Sequence, residues 1–191
     1  MNKRLYIMTD GSAIMNKDGN YDSAYSFIIS DGIKEESNVL INHTNNYAEM
    51  YAIYKSTKYV LENKINIEAY DEIIIITDSE LCMKSLSVWM KSWLKNTKNE
   101  KLFNSQGALV KNQELIKSAF INMLLINQVI PIRIIHINSH ESESKKKQMY
   151  EKMSKSIPDL DIDDFNLIFE GNNKCDLNAR ELLKNHLQYN N

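Results

Sequence analysis

The chain has 191 residues, of which 43% are hydrophobic and 25% charged, so it can bury the core of a single globular domain. We expect a cytoplasmic protein that does not bind membranes, because no stretch approaches the apolar length of a membrane span and the first ten residues lack a signal-peptide core. The formal net charge of −2 argues weakly against a nucleic-acid partner, but acidic and basic residues cluster separately and such a partner is not excluded. Two distant cysteines, Cys82 and Cys175, predict reduced thiols.

The N-terminal part of the chain predicts three strands and a helix. The first strand leads into a turn at Gly11, and a hairpin turn at Gly32 joins the second strand to the third. Thr44 begins a segment with helix-capping chemistry and then apolar residues at helical spacing. The strands are predicted over residues 6–9, over residues 24–30 and up to about residue 41, and the helix over residues 47–61.

The rest of the chain predicts alternating strands and helices. The four isoleucines of residues 73–76 are typical of a strand that is buried on both faces. Residues 141–169 are rich in Ser, Lys, Glu and Asp, and we interpret them as a polar, partly mobile insertion. The predicted elements are a strand over residues 72–77, a helix that carries Trp89 and Trp93, a helix over 112–127, a strand over 129–137, a short helix over 145–155 and a last helix over 174–187.

This order of elements predicts an α/β fold. The three consecutive strands would form an antiparallel meander, and the strands near residues 6, 74 and 134, which are separated by helices, should run parallel to each other. We therefore predict one domain over residues 1–191, built on a five-stranded mixed sheet with helices on its faces.

Four acidic residues occupy positions at which function is common. Asp10 and Asp78 each follow an apolar strand of one sheet, Glu49 comes early in a helix, and Asp176 is expected at the start of the last helix. Acids held close together repel one another unless a cation lies between them, and carboxylates without His or Cys ligands select Mg²⁺ or Mn²⁺. Such clusters support two-metal hydrolysis of phosphodiesters.

Each of these acids also has a structural interpretation. Asp78 is in the position of a helix N-cap, and Asp10 could belong to a plain turn. Glu49 could be a solvated helix residue, and Asp176 could favour the positive end of the helix dipole. Only their combination indicates a site.

Six short strings along the chain include these acids or lie between them. They are Thr9-Asp10-Gly11-Ser12, Thr44-Asn45-Asn46-Tyr47-Ala48-Glu49, Ile76-Thr77-Asp78-Ser79, Leu109-Val110-Lys111-Asn112, Ile137-Asn138-Ser139-His140 and Asn172-Asn173-Lys174-Cys175-Asp176-Leu177-Asn178-Ala179-Arg180. Taken in order, these strings resemble type 1 ribonuclease H over most of the chain outside residues 141–169. The resemblance implies a ribonuclease H-like fold.

The resemblance also implies roles for these residues. Asp10, Glu49, Asp78 and Asp176 would form a metal-binding carboxylate quartet that holds two Mg²⁺ ions with substrate, with Mn²⁺ as a possible replacement. His140 would be a mobile-loop histidine that assists product release or proton transfer.

Substrate contacts are implied as well. Asn16, Thr44 and Asn112 resemble a polar pocket for a DNA phosphate, and neutral hydrogen-bond donors suit that ligand. Asn45 and Asn46 would reach the minor groove, where a 2′-hydroxyl distinguishes RNA from DNA. The remaining positions are two tryptophans: Trp93 would lie beside the DNA strand, whereas for Trp89 we favour core packing.

The expected activity is that of an endonuclease that hydrolyses the RNA strand of an RNA–DNA hybrid and leaves 5′-phosphate products. The expected enzyme is a monomer without a small-molecule cofactor. Two alternatives remain open at this point. One is another nuclease of the same fold, a resolvase or an exonuclease, and the other is a catalytically silent hybrid-binding module.

Overall fold

The structure, a computed structural model, describes residues 3–63, 65–138 and 145–189. Within these ranges, five strands form one mixed sheet in the order β3-β2-β1-β4-β5. The β1–β2 and β2–β3 pairs are antiparallel, and β4 is parallel to both β1 and β5. The strands are β1 (Arg4–Met15), β2 (Tyr21–Ile29), β3 (Lys34–Leu40), β4 (Glu72–Thr77) and β5 (Ile132–His136). The predicted fold class is therefore confirmed.

Helices cover both faces of this sheet. α1 and α4 pack against one face, and α5 and α6 pack against the other. A π-helical turn, Ser85–Trp89, joins α2 to α3. The helices are α1 (Asn45–Glu62), α2 (Glu80–Lys84), α3 (Met90–Lys95), α4 (Gln113–Asn127), α5 (Lys146–Ser156) and α6 (Ile162–Tyr189). No helix within the described residues is both long and apolar enough to cross a bilayer.

The isoleucine run of β4 explains how one strand supports two cores. Ile73 and Ile75 contribute to the apolar cluster beneath α1 and α4, whereas Ile74 and Ile76 contribute to the cluster beneath α5 and α6. All four side chains are fully buried. Successive side chains of a strand point to opposite faces, so a continuous apolar run is what a doubly covered central strand needs.

The last helix is longer than the sequence predicts. α6 begins at Ile162, whereas the sequence predicts a start at Lys174. Phe165, Ile168 and Phe169 are buried in the cluster of α5 and α6, at the i, i+3, i+4 spacing of one helix face. The prediction missed this face because polar residues surround it. Residues 145–169 are thus packed against the sheet, although whether they are an insertion stays a prediction.

The first strand also extends further than predicted. The predicted turn at residues 10–12 is wrong, because β1 continues to Met15 in antiparallel pairing with β2. Its parallel pairing with β4 ends at the pair Thr9 and Thr77. The hydrogen bonds of β2 keep β1 extended after β4 has ended. Asp10 therefore comes directly after the last parallel pair.

Candidate active site

Asp10 and Asp78 lie side by side at the edge of the sheet where β4 ends, because each follows one member of the last parallel pair. Asp10 is buried, with 3% of its surface exposed. Burial, together with the charge of Asp78, raises the pKa of Asp10 to about 8, although the backbone N–H of Gly11 donates to its Oδ1 at 2.7 Å. Oδ1 of Asp78 is buried and finds no hydrogen-bond partner among the described residues. Two carboxyl groups are thus held together in an environment that disfavours their combined charge.

The third acid, Asp176, comes from the middle of α6. Its charge is one of the smaller causes that raise the pKa of Asp10. The Sγ of Cys175 donates to the Met8 carbonyl at 3.4 Å, which holds this part of α6 against β1. The prediction that Asp176 starts a helix is wrong, and an interaction with the helix dipole does not explain its position. Its Oδ1 instead lies 2.8 Å from Nε of Arg180, one turn along the helix.

The fourth acid, Glu49, reaches the site because α1 crosses β1 closely at Gly11. A Cβ atom on Gly11 would lie only 2.4 Å from the backbone nitrogen of Glu49. The Glu49 carboxylate accepts hydrogen bonds from the Ser79 hydroxyl and, at 2.8 Å, from the Asn45 amide. Burial raises the pKa of Glu49, and the hydrogen bond from Ser79 opposes this effect.

The four acids supply the oxygen ligands that a hard divalent cation prefers, but their side chains do not form a coordination shell. Among the described residues, no three Asp, Glu, His or Cys side chains converge enough to coordinate one ion, since Glu49 is turned to Ser79 and Asp176 to Arg180. Asp10 and Asp78 nevertheless present oxygen ligands only, and Oδ1 of Asp78 has no hydrogen-bond partner among the described residues. A divalent cation would relieve the repulsion at this pair.

A histidine contacts the same edge of the sheet. Nε2 of His136, the last residue of β5, lies 3.0 Å from the backbone carbonyl of Asp78. No role for His136 is predicted from the sequence. His140, which was predicted to act in catalysis, lies outside the described residues.

A cavity of about 550 Å³ lies between the start of α1, the tryptophan-bearing helix and the segment that precedes α4. Four of the predicted substrate residues line it, namely Thr44, Asn46, Trp93 and Asn112. The backbone of Asn112 is left-handed, with φ of 55°, and Asn is one of the few residues that adopt this conformation readily. The structure thus collects polar groups that are distant in sequence around one opening.

The two tryptophans differ from their predicted environments. Trp93 is buried in the core with 8% of its surface exposed, whereas Trp89 is 37% exposed. The preference for core packing of Trp89 is therefore wrong. Both rings line the cavity, with centroids 5.8 Å apart. The π-helical turn between α2 and α3 changes the side-chain phase expected from an uninterrupted α-helix.

Two other predicted substrate residues do not line this cavity. Asn16 lies at the β1–β2 hairpin, where its side chain binds Asp22 at 3.3 Å. Asp22 also accepts the backbone N–H of Asn42 at 3.1 Å, so Asn16 is connected to the segment before α1. Asn45 is turned toward Glu49 instead.

Sequence reasoning missed three contacts of the acids. Ser79 is the N-cap of α2, and its hydroxyl also donates a hydrogen bond to the Glu49 carboxylate. Arg180 stands one helical turn after Asp176, and that spacing could have suggested the ion pair. The contact of His136 with Asp78 carries no sequence signal, since it depends on the pairing of β4 with β5.

The family model for RNase H matches residues 2–157 of the chain. The chain belongs to the ribonuclease H family. This match includes Asp10, Glu49 and Asp78, whereas Asp176 lies beyond it and is connected to the site by its position beside Asp10.

Curated relatives cover part of the chain. Ribonuclease H of Campylobacter jejuni is 34% identical over 93 residues, which make up 49% of this chain and 58% of that protein. Ribonuclease H of Neorickettsia sennetsu is 32% identical over 111 residues, which make up 57% of this chain and 66% of that protein. The chain thus spans about six tenths of the length of the relatives that it matches.

Solved structures share the fold over most of the chain. The RNase H domain of prototype foamy virus has a TM-score of 0.58 and 21% identity, and the match covers 94% of this chain and 93% of that domain. RNase H1 from Halobacterium salinarum has a TM-score of 0.51 and 17% identity, with 95% and 98% covered. The foamy viral protease-reverse transcriptase in complex with an RNA/DNA hybrid has a TM-score of 0.62 and 20% identity, with 95% of this chain and 20% of that chain covered.

Proposed function

We propose that this chain is an endoribonuclease that hydrolyses the RNA strand of RNA–DNA hybrids. The observation that carries the proposal is the pair Asp10 and Asp78, in which Asp10 and the Oδ1 atom of Asp78 are buried. Glu49 and Asp176 lie beside this pair, in a chain of the ribonuclease H family. The proposed products carry a 5′-phosphate, and the RNA 2′-hydroxyl is recognised without acting as the nucleophile.

Asp10, Glu49, Asp78 and Asp176 would hold divalent cations, two Mg²⁺ ions with substrate or Mn²⁺ in their place. Such ions, when bound, activate a water molecule and neutralise the charge that develops on the phosphate. Because burial and the charge of Asp78 raise the pKa of Asp10, the folded site retains a proton there at neutral pH. Cation binding must therefore displace this proton, and the apparent affinity for cations should rise with pH.

Polar residues outside the four acids would contact the hybrid. Thr44 and Asn112 would hold a DNA phosphate in the cavity with neutral hydrogen-bond donors. Asn16 would contribute to this contact from the β1–β2 hairpin. Asn45 and Asn46 would contact the minor groove of the hybrid, where the 2′-hydroxyl is accessible.

Two tryptophans and a histidine complete the proposed site. Trp89 and Trp93 would flank the DNA strand, and the exposed part of Trp89 makes it the more accessible ring. His140 would assist proton transfer or product release. We further propose that the chain acts as a cytoplasmic monomer, and its two cysteines, both free and buried, are consistent with a reducing compartment.

Cleavage of strand-labelled substrates tests this proposal. The RNA–DNA hybrid should be cut in its RNA strand with Mg²⁺ or Mn²⁺ but not with a chelator, and duplex DNA, a four-way junction and single strands should remain intact. Asp78→Asn should abolish cleavage, while Asp159→Asn, the same change at an exposed residue, should leave it unaltered.

Three outcomes would contradict the proposal. Cutting of the junction or trimming from DNA ends would favour a resolvase or an exonuclease. Binding of the hybrid without cleavage under all metal conditions would indicate a silent binding module. Cleavage by purified Asp78→Asn would remove Asp78 from the catalytic group.

A further inference from the structure

Helix α5 has an apolar face that fixes it to the sheet. Met149 and Met153, one turn apart, are buried in the cluster that contains Ile74 and Ile76 of β4, and Ile157 continues the same face beyond the helix end. Burying these apolar side chains stabilises the docked helix. The orientation of α5 on the sheet is therefore defined by packing.

Two arginines hold the end of α5. The guanidinium of Arg133 in β5 donates to the Ser156 carbonyl, and that of Arg4 in β1 donates to the Pro158 carbonyl. Because Arg133 is near the beginning of β5, the end of α5 lies beside the beginning of that strand. α5 therefore runs back along β5, and its first turn lies toward the end of β5, where His136 contacts Asp78.

Between β5 and α5 lies a cavity of about 450 Å³, which we call the β5–α5 groove. Three lysines at one helical face supply its positive charge, against one acidic residue, Glu151. The groove is lined by residues 135–138 of β5 and the segment after it, and on the helix side by Lys145, Gln148, Met149, Glu151, Lys152, Met153, Lys155 and Ser156.

The lysines of this segment do not all face the groove. Lys146 lies over the ring of Phe169, with Nζ 4.8 Å from the ring centroid, and Lys147 lines a separate depression with Ile162 and Phe165. Lys152 and Lys155 are exposed, and neither is paired with an acid in the part of the chain that the structure describes. The direction in which each lysine points from the helix axis therefore determines which charges line the groove, and the consecutive lysines at residues 145–147 do not all line it.

We propose that the β5–α5 groove binds the phosphate backbone of the cleaved strand where that strand leaves the carboxylates, an inference that rests on the proposed function. His136 lines the groove and also touches Asp78, so the groove is continuous with the candidate active site. Lys145 and Lys155 are about 15 Å apart along the helix, at a rise of about 1.5 Å per residue. This length accommodates two or more phosphates of one strand.

The polar lining favours a polynucleotide over an apolar peptide. Phosphate oxygens accept hydrogen bonds from lysine, asparagine and glutamine side chains, and lysine binds phosphate as a point charge. An extended apolar peptide would leave Lys152 and Lys155 without a partner and would bring no compensating charge. The positive charge and the hydrogen-bond donors of the groove therefore complement a chain that carries regularly spaced negative charges.

The test compares Lys152→Gln/Lys155→Gln with a control double variant, Lys58→Gln/Lys184→Gln, which changes the net charge equally. Lys58 lies on α1. Lys184 follows Leu183, which packs against Ala24 of β2, and in the sheet β2 is separated from β5 by β1 and β4. Hybrid affinity would be measured in chelator at several salt concentrations. Loss of two phosphate contacts should weaken binding on the order of tenfold and reduce the slope of log affinity against log salt by about 1.4 to 1.8. Thermal melting would check that the variants fold.

A second measurement locates the contacts on the substrate. Hybrids whose RNA strand carries one neutral methylphosphonate at a time should bind the parent more weakly when the substitution falls at two or three consecutive positions on one side of the cut. The groove variant should show no further loss at those positions, because its contacts there are already gone.

The outcomes separate this inference from the proposed function. If the parent and the groove variant both cleave the hybrid, and have equal affinity and salt slope, the groove proposal is refuted while the activity stands. An equal loss in the control variant would refute it too, since only general charge would then matter. A parent that neither binds nor cleaves the hybrid would overturn both proposals.

Discussion

Replacing Asp10 by Asn should make the metal-free protein more stable, and the gain should increase with pH. Asp10 is buried beside Asp78, and burial with that neighbouring charge raises its pKa from an ordinary 3.8 to about 8. The folded state therefore holds a proton that the unfolded state releases. The contribution of protonated Asp10 to the free energy of unfolding is fully present below about pH 4 and is lost as the pH rises to about 8. Asn cannot ionise and avoids this loss.

The magnitude follows from the same pKa. Each unit corresponds to about 1.4 kcal/mol, so a rise from 3.8 to about 8 sets a ceiling of about 6 kcal/mol. Asp78 is only partly buried, so water screens its charge, and we expect a gain of about 2–3 kcal/mol in the free energy of unfolding between pH 4 and pH 8. In a domain of this length, that difference raises Tm by about 4 to 12 °C.

Thermal melts in chelator across this pH range, for the parent and for Asp10→Asn, measure the effect. The difference in Tm should be small at pH 4 and large at pH 8, and Asp159→Asn should follow the parent throughout. Added Mg²⁺ should stabilise the parent at pH 8 by mass action and should stabilise Asp10→Asn much less. Parallel Tm curves for the parent and Asp10→Asn would show that Asp10 does not hold a buried proton, and the reasoning would fail.

Two further predictions concern the histidine and the tryptophans. His140→Ala should slow cleavage about 10²–10⁴-fold without abolishing it, because acid–base assistance is lost while the four carboxylates remain; unchanged single-turnover and steady-state rates would leave His140 without a role. Trp89→Ala should weaken hybrid binding by about 1–3 kcal/mol with little change in urea stability, whereas Trp93→Ala should cost about 3–5 kcal/mol of unfolding free energy. If Trp89→Ala instead lowered the stability and Trp93→Ala weakened hybrid binding, the result would contradict the observed exposure of the two rings.

The sequence alone predicted the elements that have a strong local pattern. The isoleucines of β4 and the apolar spacing of α4 determined a buried strand and a helix almost to the residue. The ordered motifs around Asp10, Glu49 and Asp78 indicated the family, because each short string has little meaning alone but their order along the chain is specific. These features depend on residues that are close in sequence or on motif order, both of which can be read without a structure.

Tertiary structure decided the features that depend on distant partners. β1 extends past Asp10 because β2 supplies hydrogen bonds there, and α6 begins at Ile162 because the sheet covers its apolar face. The exposure of Trp89 follows from a π-helical turn, which no local sequence pattern predicts.

The site itself divides in the same way. Residue types and motifs identified the acids, but only the parallel pairing of β1 with β4 places Asp10 beside Asp78 and raises its pKa. Only the packing of α5 along β5 separates Lys152 and Lys155, which line the groove, from Lys146, which covers Phe169. A sequence specifies which side chains prefer burial or solvent, whereas the distance between two charges, and so their interaction energy, depends on strand register and helix orientation.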